Sequence, residues 1–325
     1  MKRRIAIVAG GYSSEHDVSL KSAAGIESFM DHDKYDVEIV RLEKGDVHAL
    51  EMLRDYDFVY ITIHGTPGEN GLLQGYLDMV GVPYSCCGVL PAALTFNKYC
   101  CNHYLENFGY RIAASILLRI EDWRKMPQAE HEAVAKRVEE QVGLPCFIKS
   151  NVGGSSNGCT KVKTVDAIIP AIELAFAEGE EVVCEAFMKG TEVTCGMYKT
   201  KQKTVVFPLT EVVPKNEFFD FAAKYYGESD EITPARIPDQ VRDKIQAMTS
   251  RLYDILGCSG IIRVDYILTT DEDKYSIHDA DHVLINLLEV NTTPGMTPAS
   301  FVPQQVRAAG LDIKDVLSDI IENKF

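Results

Sequence analysis

The chain has 325 residues, a length typical of two or three domains with a sizeable core. Hydrophobic residues make up 46% and charged residues 25%, the balance of an ordinary globular protein. The formal net charge of −15 argues against a nucleic-acid partner, because a phosphate backbone is bound by a clustered basic surface. A small anionic ligand is compatible with this charge, since a basic pocket can lie inside an acidic surface.

The N-terminal segment does not read as a signal for export or membrane insertion. Its apolar run is too short for a signal peptide, and no run of 18 apolar residues occurs in the sequence. Nine cysteines, an odd number without CxxC spacing, favour reduced thiols. Together these features predict a cytoplasmic protein without a membrane partner.

The first part of the chain alternates strands with helices. Strands are predicted at RIAIVA (4–9), VEIVRLE (37–43) and FVYITIH (58–64), and helices at 14–30 and 72–80. This alternation predicts an α/β fold with a parallel, doubly wound sheet, in which ligands collect at the carboxyl ends of the strands. Glu15 and His64 lie just beyond two of those ends.

The middle of the chain follows a stretch rich in glycine and proline, GVPYSCCGVLPAALTFNK (81–98), which predicts a connector and the first domain boundary. From residue 190 onward strands dominate. The remaining predicted elements are helices at 98–109, 132–143, 165–179 and 238–256, and strands at 145–150, 181–188, 261–268 and 283–291.

The two late strands carry polar side chains where a buried strand would be apolar. Glu289 and Asn291 are two positions apart, and so are Arg263 and Asp265, so each pair shares one face of its strand. Carboxylate and amide oxygens from neighbouring strands suit Mg²⁺, whose charge would offset their burial. The alternative is a buried network of arginine and carboxylates with a purely structural role. The spacing leaves both interpretations open.

A glycine-rich segment, GGSSNG (153–158), follows the strand that ends near Lys149. Backbone N–H groups of such loops cradle phosphate oxygens, and the lysine would add a positive charge. The segment is not a Walker A motif, and no GxGxxG follows the first strand, so a simple connector is the alternative. Lys98, Lys224 and Tyr225 are by base rate ordinary surface or loop residues.

Eight ordered blocks nevertheless resemble the D-alanine–D-alanine ligases of the ATP-grasp superfamily. They are EHDVSLKSA, HGTPGENGLLQGYLDMVGVPY, GVLPAALTFNK, PCFIKSNVGGSSNG, EAFMKGTEV, FDFAAKY, IIRVDYIL and EVNTTPGMTP. The resemblance implies an ATP-grasp fold of three α/β domains: an N-terminal substrate-binding domain (1–94), a central domain (95–184) and a C-terminal domain with the metal site (185–325). It further implies a cytoplasmic homodimer that joins two D-alanines through an acyl phosphate, using ATP, for peptidoglycan synthesis.

The resemblance also implies a role for individual residues. The reacting groups correspond to Glu15, Ser155, Tyr225, Arg263 and Gly295, and substrate contacts correspond to His64 and Ser300. The ATP site corresponds to Lys98, Lys149, Ser156, Glu185, Phe187, Met188, Glu192 and Lys224. The ligands of two Mg²⁺ or Mn²⁺ ions correspond to Asp265, Glu289 and Asn291.

Two related functions are the alternatives: a D-alanine–D-lactate ligase, and a nucleotide-binding module that has lost turnover. Tyr225 in an AKY setting favours the dipeptide, and the intact acidic set with Arg263 argues against a non-catalytic module. The loops at 153–158 and 214–228 are the expected lids, although Phe219, Phe221 and Ala222 lack polar groups common in the family. The long segment 269–283 is predicted to be a solvated hairpin tip rather than a metal site.

Overall fold

The computed structural model describes residues 2–154, 158–214 and 229–325, which form three β-sheets with their helices. The site residues predicted at Ser155, Ser156, Lys224 and Tyr225 lie outside these ranges, as do Phe219, Phe221 and Ala222. Within the described ranges, no helix combines the length and apolarity needed to cross a membrane.

The first sheet is parallel, with the strand order β2-β1-β3. Ile5 and Ile7 of its central strand belong to one core cluster with Ala23, whereas Ala6 and Val8 face a second cluster on the other side. Both faces are therefore covered, which confirms the predicted doubly wound arrangement. The elements are β1 (Arg3–Gly10), α1 (His16–Phe29), β2 (Tyr35–Leu42), α2 (Val47–Met52), β3 (Phe58–Ile61) and α3 (Leu72–Val80).

The predicted connector at 81–98 is only partly irregular. Helix α4 (Val89–Phe96) lies inside it, and α5 (Lys98–Glu106) follows directly. Pro91 does not break α4, because it lies in the first turn, where the backbone N–H has no partner within the helix. The segment predicted to be a connector therefore contains a helix that the sequence analysis did not identify, because glycine and proline were read as breaks irrespective of their place in a turn.

The second sheet is antiparallel, in the order β4-β7-β5-β6, with helices on one face. Ile148 and Cys184 pack with Ile172 beneath the helices, and the alternate residues Phe147 and Lys149 point to the opposite face. The elements are β4 (Ser115–Arg119), α6 (Ile120–Lys125), α7 (Gln128–Gln141), β5 (Cys146–Ser150), β6 (Thr160–Val162), α8 (Ile168–Phe176) and β7 (Glu181–Ala186). The predicted domain division after residue 184 falls within β7, and the division itself stays a prediction.

The third sheet is antiparallel, in the order β11-β10-β8-β12-β13, with β9 beside β8. One face packs on a long helix, and two C-terminal helices join the other face to the first sheet, since Val302 and Leu317 share a core cluster with Ile5 and Phe207. The elements are β8 (Thr191–Lys199), β9 (Thr204–Val206), β10 (Thr210–Pro214), β11 (Ser229–Ile232), α9 (Asp239–Leu256), β12 (Ile261–Thr270), β13 (Val283–Asn291), α10 (Phe301–Ala308) and α11 (Ile313–Glu322).

A β-bulge interrupts the pairing of β12 with β13. Asp265 pairs with Glu289, but the next residue, Tyr266, pairs with Leu287, so Leu288 is an extra residue on β13. Leu287 and Glu289 are two positions apart and would share a face on a regular strand. The bulge places Leu287 in the core with Tyr266, and it directs Glu289 to the opposite side.

The hairpin between β12 and β13 ends in an exposed tip, as predicted. Most residues at 271–281 are exposed. The tip makes its own contacts: the Nδ1 atom of His282 lies 3.1 Å from a carboxylate oxygen of Asp271, and its ring stacks on Tyr275 at a centroid distance of 3.4 Å. These contacts stabilise the tip itself, which lies at the opposite end of β12 from the polar residues at 263–265.

Candidate active site

A cavity of about 890 Å³ lies where the three sheets meet. Each sheet contributes to its lining, as expected for a site between domains. Every predicted site residue within the described part of the chain lines this cavity: Glu15, His64, Lys98, Lys149, Glu185, Phe187, Met188, Glu192, Arg263, Asp265, Glu289, Asn291, Gly295 and Ser300. The structure therefore brings these residues together, while their individual roles stay predictions.

One side of the cavity carries the charged face of β12 and β13. The ladder pairs Asp265 with Glu289 and Arg263 with Asn291, so all four side chains lie on the same face. Arg263 donates two hydrogen bonds to Asp265, from Nε at 2.9 Å and from NH2 at 2.8 Å, and NH2 lies 3.8 Å from Glu289. Burial alone would lower the pKa of Arg263, but the Asp265 carboxylate outweighs it and raises that pKa.

The donor atoms of this face fit a hard divalent cation. Asp265, Glu289 and Asn291 offer only oxygen ligands, which Mg²⁺ and Mn²⁺ prefer. Both oxygens of Asp265 accept from Arg263, but a carboxylate has about four lone-pair sites, so each oxygen can accept a further partner. The arrangement thus combines the arginine–carboxylate pair of the structural interpretation with the ligand set of the metal interpretation.

Two lysines line the cavity beside the second sheet: Lys149 lies on β5, and Lys98 is the first residue of α5. The Nζ of Lys149 lies 2.9 Å from a carboxylate oxygen of Glu185 on the neighbouring strand. Burial would lower the pKa of Lys149, but Glu185 raises it, so the amine is protonated at neutral pH. The Nζ of Lys98 donates to the carbonyl oxygen of Gly153 and so contacts the start of the glycine-rich loop.

Asn151 anchors the root of the glycine-rich loop and was missed in the sequence. Its side chain is fully buried, accepts from the backbone N–H of Tyr99 and donates to the carboxylate of Glu181. The loop and the first turn of α5 are therefore held together at one point. A buried asparagine beside a glycine run is a signal for such an anchor, because buried amides require partners.

The first sheet contributes acidic residues and a histidine. Glu15 precedes α1, is 8% exposed, and touches the glycine-rich loop, where a Cβ on Gly154 would lie only 2.5 Å from its Oε2. His64 follows β3, and its Nε2 lies 3.1 Å from the hydroxyl oxygen of Ser22 on α1. Burial lowers the pKa of His64, so the ring is neutral at physiological pH.

Glu69 is a further cavity residue that the sequence analysis did not single out. It lies in the polar loop between β3 and α3, and its Oε2 accepts from the backbone N–H of Gly65 at 2.7 Å. Burial, and then the proximity of Glu15, raise the pKa of Glu69 to about 8. Its position beyond the carboxyl end of a parallel strand is the sequence signal that could have identified it.

The opposite end of the cavity is formed by the N-terminus of α10 and the turn before it. Ser300 immediately precedes the helix, and its Oγ accepts from the backbone N–H of Thr297 at 3.1 Å. Gly295 lies close by, since a Cβ there would be 3.1 Å from Ser300 Oγ. The partial positive charge of a helix N-terminus favours an anionic group at this end.

Solved structures of the same fold cover almost the whole chain. The VanG D-Ala:D-Ser ligase of Enterococcus faecalis has a TM-score of 0.81 and 28% identity over 100% of both chains. A D-alanine–D-alanine ligase of Bacillus anthracis complexed with ATP has a TM-score of 0.78 and 28% identity, covering 99% of this chain and 97% of that chain. The fold is the ATP-grasp fold of these ligases.

The sequence comparisons identify the family. The family model described as the C-terminus of D-ala D-ala ligases matches residues 104–322. The D-alanine–D-alanine ligase of Phocaeicola vulgatus is 56% identical over 100% of this chain and 100% of its own length. The chain therefore belongs to the D-alanine–D-alanine ligase family.

Proposed function

We propose that this protein joins two D-alanine molecules into D-alanyl-D-alanine, a peptidoglycan precursor, with conversion of ATP to ADP and phosphate. Full-length relatives with this name support the reaction. The observation that carries the proposal is the single cavity that holds the acidic face of β12 and β13, two lysines and Glu15. These are the groups that the transfer of a phosphoryl group to a carboxylate requires.

In the first step, the carboxylate of one D-alanine attacks the γ-phosphorus of ATP and releases ADP, which gives D-alanyl phosphate. Lys98 and Lys149 would neutralise phosphate charge, and Asp265, Glu289 and Asn291 would hold two Mg²⁺ or Mn²⁺ ions beside them. When bound, these ions supply charge neutralisation for the phosphoryl transfer. The ATP site would continue along Glu185, Phe187, Met188 and Glu192, which line the same cavity.

The first D-alanine would bind near the first sheet. Glu15 provides negative charge for its ammonium group, and Glu69 and His64 lie beside it in the lining. Because Glu69 has a raised pKa, a bound ammonium would favour its ionised form and gain a second ionic partner. This end of the cavity therefore suits an amino acid rather than a simple carboxylic acid.

In the second step, the amine of another D-alanine attacks the acyl carbon, and the tetrahedral intermediate expels phosphate. Ser300 and the N-terminus of α10 would bind the carboxylate of this second substrate. Arg263 and the backbone N–H of Gly295 would stabilise the oxyanion. The guanidinium suits this role because its pKa is raised, so it stays charged.

We further propose a homodimer in the cytoplasm. Four apolar side chains on the adjacent helices α3 and α4 are exposed and form what we call the α3–α4 patch: Leu72, Met79, Val89 and Leu90. Exposed apolar patches of this kind favour association with a second copy. None of the nine cysteines, all of which lie in the described part of the chain, forms a disulfide bond, which supports a reducing compartment, where ATP is also available.

A product assay tests the proposed reaction. The protein is incubated with ATP, Mg²⁺ and D-alanine, and ADP, phosphate and dipeptide are quantified, the dipeptide by mass spectrometry. Equimolar release of all three products is expected. Parallel reactions add D-serine or D-lactate as the second substrate. Preference for either would replace the proposed specificity, and ATP binding without any product would favour a non-catalytic module.

A further inference from the structure

We propose that Lys161 is a positioning residue for the nucleobase of ATP: its ammonium fixes the ring of Phe187 in the orientation that forms a wall of the pocket. The inference rests on the proposed nucleotide site and adds to it that the Phe187 ring would pack against the base. Lys161 itself lies outside the set of described residues that line the cavity, so it would act through the ring.

The register of the second sheet places Lys161 on the correct face. Lys161 on β6 pairs with Phe147 on β5, and Phe147 pairs in turn with Glu185 on β7. Directly paired residues point to the same side of a sheet, so Lys161 and Phe147 share the cavity face with Glu185. Phe187 follows at the end of β7, beyond this row.

Among the residues that the structure describes, two make ring contacts with Phe187. Phe147 packs against it edge-on, with 5.8 Å between centroids and an interplanar angle of 66°. The Nζ of Lys161 lies 3.8 Å from the centroid, well within the range of a cation–π interaction. Phe187 lies in an irregular segment after its strand and is only half-buried, so these contacts, rather than dense packing, limit its rotamers.

The position of the ammonium distinguishes a cation–π role from a phosphate contact. A cation at this short distance occupies one face of the ring, so a planar base would stack against the other face. Lys98 and Lys149 already supply positive charge in the cavity lining. Loss of Lys161 should therefore weaken the binding of adenosine as much as that of ATP.

Steady-state kinetics of Lys161→Met and Lys161→Arg test the proposal. The methionine variant keeps the length of the side chain without its charge, and KM for ATP should rise about three- to tenfold. Turnover and KM for D-alanine should change less than twofold, and arginine should restore the KM for ATP. The matched control is Lys136→Met, which removes one charge from an exposed position on α7 of the same sheet-and-helix unit and should behave as wild type.

Binding of adenosine, measured by calorimetry, separates the two roles of the lysine. A loss for ATP but not for adenosine in Lys161→Met would overturn the positioning role in favour of a phosphate contact. An unchanged KM for ATP in Lys161→Met would also overturn it, as would failure of arginine to restore that KM while the variant remains folded by circular dichroism.

The variant Phe187→Leu separates this inference from the proposed nucleotide site. If Phe187→Leu leaves KM for ATP unchanged, the assignment of Phe187 to the nucleotide site is wrong, and the inference fails with it. If Phe187→Leu raises KM for ATP but Lys161→Met does not, only the inference fails. If both are correct, Lys161→Met should have no additional effect in the Phe187→Leu background, because the two residues act as one unit.

Discussion

The charged face of β12 and β13 gathers one guanidinium and two carboxylates within a few ångströms. Arg263 lies between Asp265 and Glu289, at 2.8 and 3.8 Å from their nearest oxygens. Two carboxylates beside one guanidinium make this an acidic, sheltered arrangement that a divalent cation would stabilise. The carboxylates by themselves would repel a polyphosphate, so the face would bind one only through such cations.

Replacing Glu289 by glutamine should lower turnover about 100-fold, equivalent to about 2.7 kcal/mol of transition-state stabilisation. The substitution keeps the shape of the side chain and removes one negative charge from the proposed metal ligands. The apparent affinity for Mg²⁺, measured by titrating activity, should fall as well. Glu272→Gln on the exposed hairpin tip is the charge-matched control. A rate unchanged from wild type would refute the metal assignment.

The raised pKa of Glu69 should cause the free energy of unfolding to decrease as the pH rises. Its pKa is near 4.5 in the unfolded chain and about 8 in the folded protein, so the folded state holds the extra proton between these values. Stability contributed by this residue is therefore lost as the pH increases from about 4.5 to 8. Glu69→Gln should raise the free energy of unfolding at pH 8 by about 1–2 kcal/mol, with little change at pH 4.

Urea denaturation at both pH values measures this difference. Glu139→Gln, at an exposed position on α7, is the control for removal of a surface carboxylate. Equal effects of the two substitutions at pH 8 would show that Glu69 does not have a raised pKa. The Glu69→Gln variant should also bind D-alanine more weakly, because it lacks the charge proposed to face the ammonium group.

At the scale of elements, the glycine-rich loop meets the start of α1 through a very close contact. A Cβ at Gly154 would lie within 3 Å of three atoms of the Glu15 carboxyl group. Gly154→Ala should displace that carboxylate while leaving the core intact. KM for D-alanine should rise about tenfold, since small displacements of positioning groups have large effects. The melting temperature should change by only a few degrees.

The control for this substitution is Gly75→Ala in α3. Its Cβ would make only an ordinary contact, 3.7 Å from Val89, and alanine is favoured within helices. Michaelis constants of both variants for D-alanine and ATP complete the comparison. A KM for D-alanine equal to that of wild type in Gly154→Ala would show that the present position of the Glu15 carboxylate is not required for binding D-alanine.

Alternation and spacing predicted most of the elements that carry the site. The strands at β1, β5, β12 and β13 follow from their apolar runs, and the shared face of Arg263 and Asp265 follows from the two-residue period. Helix α4 was not predicted, since proline in a first turn looks the same in sequence as proline that ends a helix. The bulge at Leu288 was not predicted either, because no local signal marks an extra residue.

The cavity residues that the sequence analysis did not identify were missed for a different reason. Glu69 and Asn151 lie in loops, where periodicity carries no information, and their importance arises from neighbours distant in sequence. Glu69 has a raised pKa because burial and Glu15 act on it, and both depend on the tertiary fold. By contrast, the resemblance to the family located residues that spacing alone left undecided, such as Lys98 and Ser300.

At the scale of the whole molecule, the last two helices connect the ends of the chain. Val302 of α10 and Leu317 of α11 share a core with Ile5 of β1, and Arg3 forms an ion pair with Glu322 at 2.7 Å. Sequence periodicity could not reveal this, since it does not specify which apolar faces meet. This packing fixes the first sheet against the third, so that Glu15 and Arg263 line the same cavity.

The α3–α4 patch leads to a prediction about oligomeric state. Wild-type protein should have twice the mass of one chain by light scattering after size-exclusion chromatography at micromolar concentrations. The double variant Met79→Glu/Leu90→Glu should be monomeric, because it places charges in the proposed interface. Leu311→Glu, an exposed leucine outside the patch, should remain dimeric. A dimer that survives the double variant would place the interface elsewhere.

The extra residue at Leu288 has a consequence for how this chain tolerates insertions and deletions. Without Leu288, Leu287 would still pair with Tyr266 and Glu289 with Asp265, so the bulge absorbs one extra residue without changing the side to which either neighbour points. A residue gained or lost within the paired segments 266–270 and 283–287 would instead shift the register and exchange the two faces. The polar tip beyond these segments is therefore free to diverge in length, whereas the paired segments must keep their register.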